Sequence, residues 1–392
     1  MTSGTTPDAP VQVYANPHRL PVPAAVPGGR DPREFHRELP GYAVTPLLAA
    51  PSLATELGLD ALWVKVESSR LGLPSFKILG ASWAVYRALE KRLGQSLEPW
   101  LTIDELAGRL ASIRPLRLVT ATDGNHGRAV AHMAALLDLE AQIYVPAGTA
   151  QARIDGIASE GARVEIVDGT YDDAVTRAAQ DANVRCLVIS DTSWTGYEEI
   201  PRWVMEGYST IMTEIDDELA RHSDKNPELI AVQFGVGALA AAVVRHYHQP
   251  GSNECPKIVS VEPLRAACML ASMEAGEIVT VPGPHDSIMA GLNCGRPSVI
   301  AWPIVSQGID AFIAIPDERA REAMRALARA EIVAGETGAA GLAGLIELLT
   351  GPGNTQNRKA LRLDERSCAL IFVTEGATDP ASYGRIVSEE RA

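Results

Sequence analysis

What this chain has little of narrows its possibilities first. Basic residues are outnumbered, with Lys+Arg at 35 against 49 Asp+Glu and a formal net charge of -14. That balance disfavours nucleic acid or an anionic membrane surface as the main partner and mainly favours solubility. Cysteine is sparse: Cys186, Cys255, Cys268, Cys294 and Cys368 are scattered and odd in number. With no CxxC and no zinc-like spacing, neither a disulfide framework nor a metal site is expected, and at most an incidental pair such as Cys268 with Cys294 stays open. No apolar run is long enough to span a bilayer. The opening stretch "MTSGTTPDAPVQVYANPHRLPVPAAVPGGRDPREF" also lacks the basic start and apolar core of a signal peptide, so a cytoplasmic location is expected. Internal repeats and low-complexity segments are missing too.

What is there reads as an ordinary globular enzyme or binding protein. The 392 residues, 46% hydrophobic and 21% charged, suffice for two domains of common size. The first 40 or so residues, rich in Pro, Gly and Thr, are expected to wrap the surface. Nine short apolar runs then read as strands buried on both faces: 61–67, 116–122, 141–146, 162–168, 185–190, 229–234, 257–263, 311–316 and 368–376. Stretches of helical period lie between them, among them "FKILGASWAVYRALEKRL", "GRAVAHMAALLDL", "TYDDAVTRAAQDA" and "DERAREAMRALARAEIV". The alternation argues for α/β layers around mostly parallel sheets, with the strands of 116–190 in a small sheet and those after 229 in a larger one. A cleft between the two is where such a protein holds a ligand.

Four stretches carry candidate chemistry. "PSFKILGA" places Lys77 near a helix start, where the helix dipole and the apolar Phe76, Ile78 and Leu79 disfavour its charged form; a neutral lysine is a nucleophile able to form a Schiff base. The plainer alternative is a lysine snorkelling to solvent. "TATDGNHGRAVA" runs from a strand through glycines into a helix, so Asn125 can donate, the helix start can receive an anion, and Asp123 can act as a base. Alternatively, Asp123 and Asn125 merely cap the helix, and His126 reads as a packed turn residue. "VQFGVGALAAAVVRHY" matches G-x-G-x-x-A through Gly235, Gly237 and Ala240, with Glu262 ending the next strand. That fits a dinucleotide fingerprint and equally any phosphate cradle. "VTEGATDP" puts the Thr374 hydroxyl at a strand end, beside Gly376, or is simply a turn.

The set and its order resemble the fold-type-II pyridoxal-phosphate enzymes, which include tryptophan synthase β and the serine and threonine dehydratases. A closer resemblance is to the diaminopropionate ammonia-lyase family, carried by "LPGYAVTPL", "VESSRLGLPSFKILGA", "TATDGNHGRAVA", "SDTSWTGYEEIPRWVMEGYSTI", "IMAGLNCGRPS", "GETGAAGLAGL" and "TEGATDP". Departures from the family pattern fall at Ser75, Phe234 and Ala377. The resemblance implies two three-layer αβα domains, a large discontinuous one (1–78 and 221–392) and a small one (79–220), with pyridoxal 5'-phosphate in the cleft. It implies a Lys77 internal aldimine, a phosphate loop of Gly235, Val236, Gly237, Ala238 and Leu239, and contacts from Phe76, Asn125 and Thr374, with Glu336 a further candidate. The implied reaction is α,β-elimination of D- or L-2,3-diaminopropionate to pyruvate and two ammonia, with Lys77 and a carboxylate as bases. Asp123 is the first choice for that carboxylate and Asp191 the second. Trp194, Tyr197 and Ser287 are candidates for the pocket wall, and a homodimer is implied. Two rivals stay open: a serine, threonine or hydroxyaspartate dehydratase, and an NAD(P)-dependent dehydrogenase built on Gly235, Gly237, Ala240 and Glu262.

Overall fold

Branched apolar runs bounded by turn formers become strands here, and covering helices bury both of their faces. The computed structural model describes residues 11–20, 30–222, 225–248 and 255–389. Its strands are β1 (Gln12–Ala15), β2 (Leu47–Ala49), β3 (Ala61–Val66), β4 (Arg117–Ala121), β5 (Glu140–Pro146), β6 (Arg163–Val167), β7 (Cys186–Val188), β8 (Leu229–Gln233), β9 (Lys257–Pro263), β10 (Ala311–Ile315) and β11 (Cys368–Val373). The larger sheet runs β1-β10-β9-β8-β11-β3-β2, and the smaller runs β6-β5-β4-β7. All pairings are parallel except those of the edge strands β1 and β2, which are antiparallel.

Side-chain alternation sorts the larger sheet's core. Ile230, Val232, Leu370 and Phe372 face one apolar cluster, whereas Leu229, Ala231, Ala369 and Ile371 face another. The second cluster lies under the helices Asp317–Arg329 and Ala340–Thr350. The first continues into the small sheet's layer through the helices Lys77–Leu93 and Glu199–Gly207. Gly80 and Gly207 allow that join: a Cβ on Gly80 would stand 2.5 Å from the Tyr208 ring, and one on Gly207 2.4 Å from the Leu79 carbonyl.

All nine expected strands form, and two edge strands join them that the sequence did not announce. Both are largely unburied and only three or four residues long, too short for a strand pattern to show. Burial on both faces is corrected at the edges of the small sheet: Ile166 of β6 is 60% exposed, and in β7 only Val188 is buried. The N-terminal wrap is only partly described, since residues 1–10 and 21–29 lie outside the described set. Its visible part pairs along β10, and the Asn16 amide donates to the Ser306 and Ile309 carbonyls at 2.8 and 2.7 Å. Among the described residues no helix is long and apolar enough to cross a membrane.

Candidate active site

Strand ends from both sheets open into one cleft of about 770 Å³. β8 ends at Gln233 and turns through Gly235 to Gly237, while β11 ends before Thr374 and Glu375. From the small sheet, β4 delivers Asp123 and Asn125, and the chain beyond β7 delivers Asp191. Lys77 enters as the first residue of its helix, whose N-cap is Phe76 with no side-chain cap. Ser75, a natural cap by type, is instead buried and bridged to Glu375. This convergence of carboxyl ends is where parallel α/β sheets bind ligands.

The Lys77 Nζ donates to Asp191 Oδ2 at 2.7 Å, and the Tyr171 hydroxyl donates to Asp191 Oδ1 at 3.0 Å. Burial, the largest influence, disfavours the charged form of Lys77, but the charge and hydrogen bond of Asp191 together with Tyr208 outweigh it and raise the amine above its ordinary value. The expectation of a lysine kept neutral by its surroundings is therefore corrected for the cofactor-free chain. Asp191 shows the converse: burial would raise its carboxyl, yet the Lys77 ammonium holds it well below the usual range. Two donors and a depressed carboxyl make Asp191 an ion-pair hub and a weak base. His126 Nε2 donates to the Ile189 carbonyl at 2.8 Å, leaving a lone pair on Nδ1 that stands 4.0 Å from Asp191. Burial lowers this imidazole further, so it is neutral.

Asp123 differs in kind. Burial pushes its carboxyl up to about 7, against the opposing pull of Arg153 and Lys77, and no side chain among the described residues bonds to it. A carboxyl that titrates near neutrality can both take and return a proton. Across the cleft the Asn125 amide donates to Glu375, a link between the two sheets' layers. Gln233 Nε2 donates to the Phe372 carbonyl at 2.6 Å and lies 3.5 Å from the Thr374 hydroxyl, fixing the strand end that presents it.

A glycine cradle closes the far side. Gly237 has φ +99, and a Cβ there would stand 2.7 Å from the Phe234 ring; a Cβ on Gly235 would stand 3.0 Å from the Gly291 carbonyl. Only glycine allows so tight a turn, and the helix Ala238–Tyr247 behind it has no side-chain cap, so its first N–H groups face the cleft. An amine, a phosphate cradle and a strand-end hydroxyl in one cleft match the aldehyde, phosphate and ring nitrogen of pyridoxal phosphate. The pyridoxal-phosphate dependent enzyme family matches residues 38–361. The diaminopropionate ammonia-lyase of Salmonella typhimurium is 38% identical over 93% of this chain and 93% of its own. The chain belongs to the diaminopropionate ammonia-lyase family of pyridoxal-phosphate-dependent enzymes. Crystal structures of the Escherichia coli diaminopropionate ammonia-lyase share its fold. The complex with an aminoacrylate-PLP azomethine reaction intermediate has a TM-score of 0.88 at 32% identity, covering 98% of each chain. The D-serine complex has 0.88 at 32%, covering 97% of this chain and 98% of that one.

Pyridoxal 5'-phosphate is thus the cofactor of this ammonia-lyase family member. Of the residues the sequence singles out, Phe76, Lys77, Asp123, Asn125, Asp191, Thr374 and the run Gly235, Val236, Gly237, Ala238 and Leu239 all line the cleft. Four do not. Trp194 and Tyr197 stack on each other at 4.2 Å, and the Tyr197 hydroxyl donates to the Val188 carbonyl, bracing the Asp191 loop. Ser287 donates to Asp317 at the start of another helix, and Glu336 accepts from Ser382 at 2.7 Å. The glutamate that reaches the cleft in place of Glu336 is Glu375, next to Thr374 in "VTEGATDP". Gln233 had a signal too, as a polar residue ending an otherwise apolar strand; Tyr171 and Arg153 had none. Glu262, which a dinucleotide site needs at its strand end, accepts instead from the Met269 and Leu270 amides at 2.7 and 2.9 Å. It caps a helix, and nothing of the dehydrogenase reading is left to hold a ribose.

Proposed function

We propose that this enzyme splits 2,3-diaminopropionate, with one water, into pyruvate and two ammonia, using Lys77 and Asp123 as its proton-moving groups. The observation that carries this is one cleft holding a lysine at a helix head, a phosphate cradle and a carboxyl that titrates near neutrality. When bound, pyridoxal phosphate supplies an aldehyde to capture the substrate amine and a ring to delocalise charge from its α-carbon. The Gly235–Gly237 turn and the Ala238 helix start would hold the phosphate, Thr374 the ring nitrogen and Asn125 the ring oxygen. Lys77, once relieved of its covalent task, and Asp123 each take the α-proton, one for each enantiomer. Asp191, through its 2.7 Å contact, holds the Lys77 amine in place. An amine leaves poorly unless protonated, and whichever of Lys77 and Asp123 has taken the α-proton can give it to the departing β-nitrogen. The released enamine hydrolyses to pyruvate and the second ammonia.

The same reading treats 79–220 as the small domain and 1–78 with 221–392 as the large one, a division supported by how the strands sort between sheets. It also takes the enzyme to be a cytoplasmic homodimer. The thiols of Cys186, Cys268, Cys294 and Cys368 fit a reducing compartment, and light scattering on the purified protein tests the dimer. The central test is a substrate panel scored for pyruvate and ammonia. Diaminopropionate should be turned over fastest, and borohydride reduction should fix the cofactor on Lys77. Preference for serine, threonine or hydroxyaspartate would instead make the enzyme a dehydratase, and cofactor fixed elsewhere would overturn the assignment of Lys77.

A further inference from the structure

We propose that Glu375 is a positioning residue that holds the Asn125 side-chain amide so that this amide can only donate to the ring oxygen of the cofactor. The assignment rests on the functional reading above, in which Asn125 meets that oxygen. Glu375 is 1% exposed, and it lines the cleft opposite Asn125, which belongs to the small sheet's layer. The Asn125 Nδ2 donates to Glu375 Oε2, and the Thr337 backbone N–H donates to Oε1 at 3.2 Å. A carboxylate that accepts at both oxygens meets an amide only through the amide nitrogen, so the Asn125 side chain cannot turn over. One Nδ2 hydrogen is spent on Glu375, and the second is left for the cleft.

The surrounding backbone is shaped to hold this carboxylate. A Cβ on Gly335 would stand 2.4 Å from the Gly376 carbonyl and 3.1 Å from Glu375 Oε1, and one on Gly338 would stand 2.4 Å from the Glu375 carbonyl. Side chains at either place would push Glu375 out, so the "GETG" run at 335–338 is a socket for it. The Gly335 N–H donates to the Glu375 carbonyl at 3.1 Å, and the Gly376 N–H donates to the Pro74 carbonyl at 3.0 Å, three residues before Lys77. Asn125 has less support of its own. It is the first residue of its helix, and the N-cap Gly124 offers no side chain. Without Glu375 its amide can show the ring oxygen either an N–H or a carbonyl. An N–H favours the ring-oxygen anion, whereas a carbonyl accepts only from a protonated ring oxygen. Glu375 thereby sets the protonation state of the cofactor oxygen through the orientation of one amide.

The test compares wild type with Glu375→Gln, with Asn125→Asp, and with the two substitutions together, which rebuild the tie with donor and acceptor exchanged. The first readout, on the holoenzyme at saturating cofactor, is the ratio of its visible band, from the anionic ring oxygen, to its near-ultraviolet band, from the protonated one. The second is the thermal unfolding midpoint of the cofactor-free chain. Glu375→Gln frees the amide to take either orientation and should lower the band ratio roughly 10-fold, the bias that a charge-assisted hydrogen bond supplies. Asn125→Asp sets two carboxylates face to face and should lower the unfolding midpoint. The double variant should recover that midpoint while its band ratio stays low, because the introduced carboxylate can only accept. Recovery of both readouts in the double variant overturns the proposal and leaves Glu375 as a tie between the layers. A wild-type band ratio in Glu375→Gln overturns it as well, and that variant decides the matter if the double variant does not fold. If wild type shows no cofactor absorbance, or borohydride fixes the cofactor elsewhere than on Lys77, the functional reading fails first.

Discussion

Replacing Asp191 with asparagine isolates one charge. The amide oxygen can still accept from Tyr171, so the packing and one hydrogen bond survive while the negative partner of Lys77 disappears. At 2.7 Å the pair is worth about 6 kcal/mol in an effective dielectric of about 20. Removing one member of a buried pair typically costs about 3–5 kcal/mol, because the other charge is stranded. Lys77 keeps 19% side-chain exposure, which places it near the lower end. At about 1.4 kcal/mol per pH unit, the midpoint of the lysine should fall by roughly 2 to 3 pH units. In the wild type, Asp191 raises that midpoint, so the pair's stability is fully present below the unfolded value and is lost only as pH rises through the folded one. In Asp191→Asn that midpoint is lower, so the variant should lose less stability than wild type as pH rises above about 10. The assay is competitive labelling of Lys77 with an amine reagent across pH in the cofactor-free chain, read by mass spectrometry beside thermal unfolding. A midpoint in the variant unchanged from that of wild type would refute the claim that Asp191 keeps Lys77 charged.

Two further outcomes follow from the same electrostatics. Arg70 is fully buried between Glu67 and Glu214, at 2.6 and 2.7 Å, behind the turn that leads to Lys77. Arg70→Gln strands Glu67, while Glu214 keeps Lys65 at 3.1 Å, and should cost about 3–5 kcal/mol in urea unfolding; a loss below about 1 kcal/mol would show the network to be dispensable. For Asp123 the folded carboxyl titrates near 7, above its unfolded value, so it binds protons more tightly when folded, and stability falls as pH rises from about 4 to about 7. Asp123→Asn should therefore match wild type near pH 4 and exceed it above pH 7 in thermal unfolding. It should also abolish turnover of one enantiomer of diaminopropionate while sparing the other, and equal loss of both would contradict the division of labour with Lys77.

The parallel strands and the glycine turn were legible because their signals are local. β8 and β11 are buried at every residue, and a strand buried on both faces is an unbroken apolar run whatever its neighbours. Edge strands lose that signal: β1 and β2 are too short to show a pattern, and β6, apolar in part, read as more buried than it is. The helix Ala340–Thr350 was obscured by Gly341 and Gly344, poor helix formers whose missing side chains let it approach the larger sheet; a Cβ on Gly344 would stand 2.4 Å from Val261.

The site divides in the same way. Lys77, Asn125 and Thr374 sit beside turns or strand ends that the sequence marks, whereas what controls their charge comes from far along the chain. Asp191 is 114 residues from Lys77, and Glu375 is 250 residues from Asn125. No spacing rule reaches that far, so a helix-start lysine surrounded by apolar residues reads as neutral until Asp191 is placed against it. The partner's origin gives the pair its meaning. Asp191 and Tyr171 belong to the small sheet's layer, and the Tyr171 ring packs against Val236 of the phosphate cradle and against Cys294. A shift of that layer away from the larger sheet would withdraw Asp191 from Lys77 and loosen the cradle wall together. The protonation state of the lysine is thereby tied to the closure of the cleft in which it works.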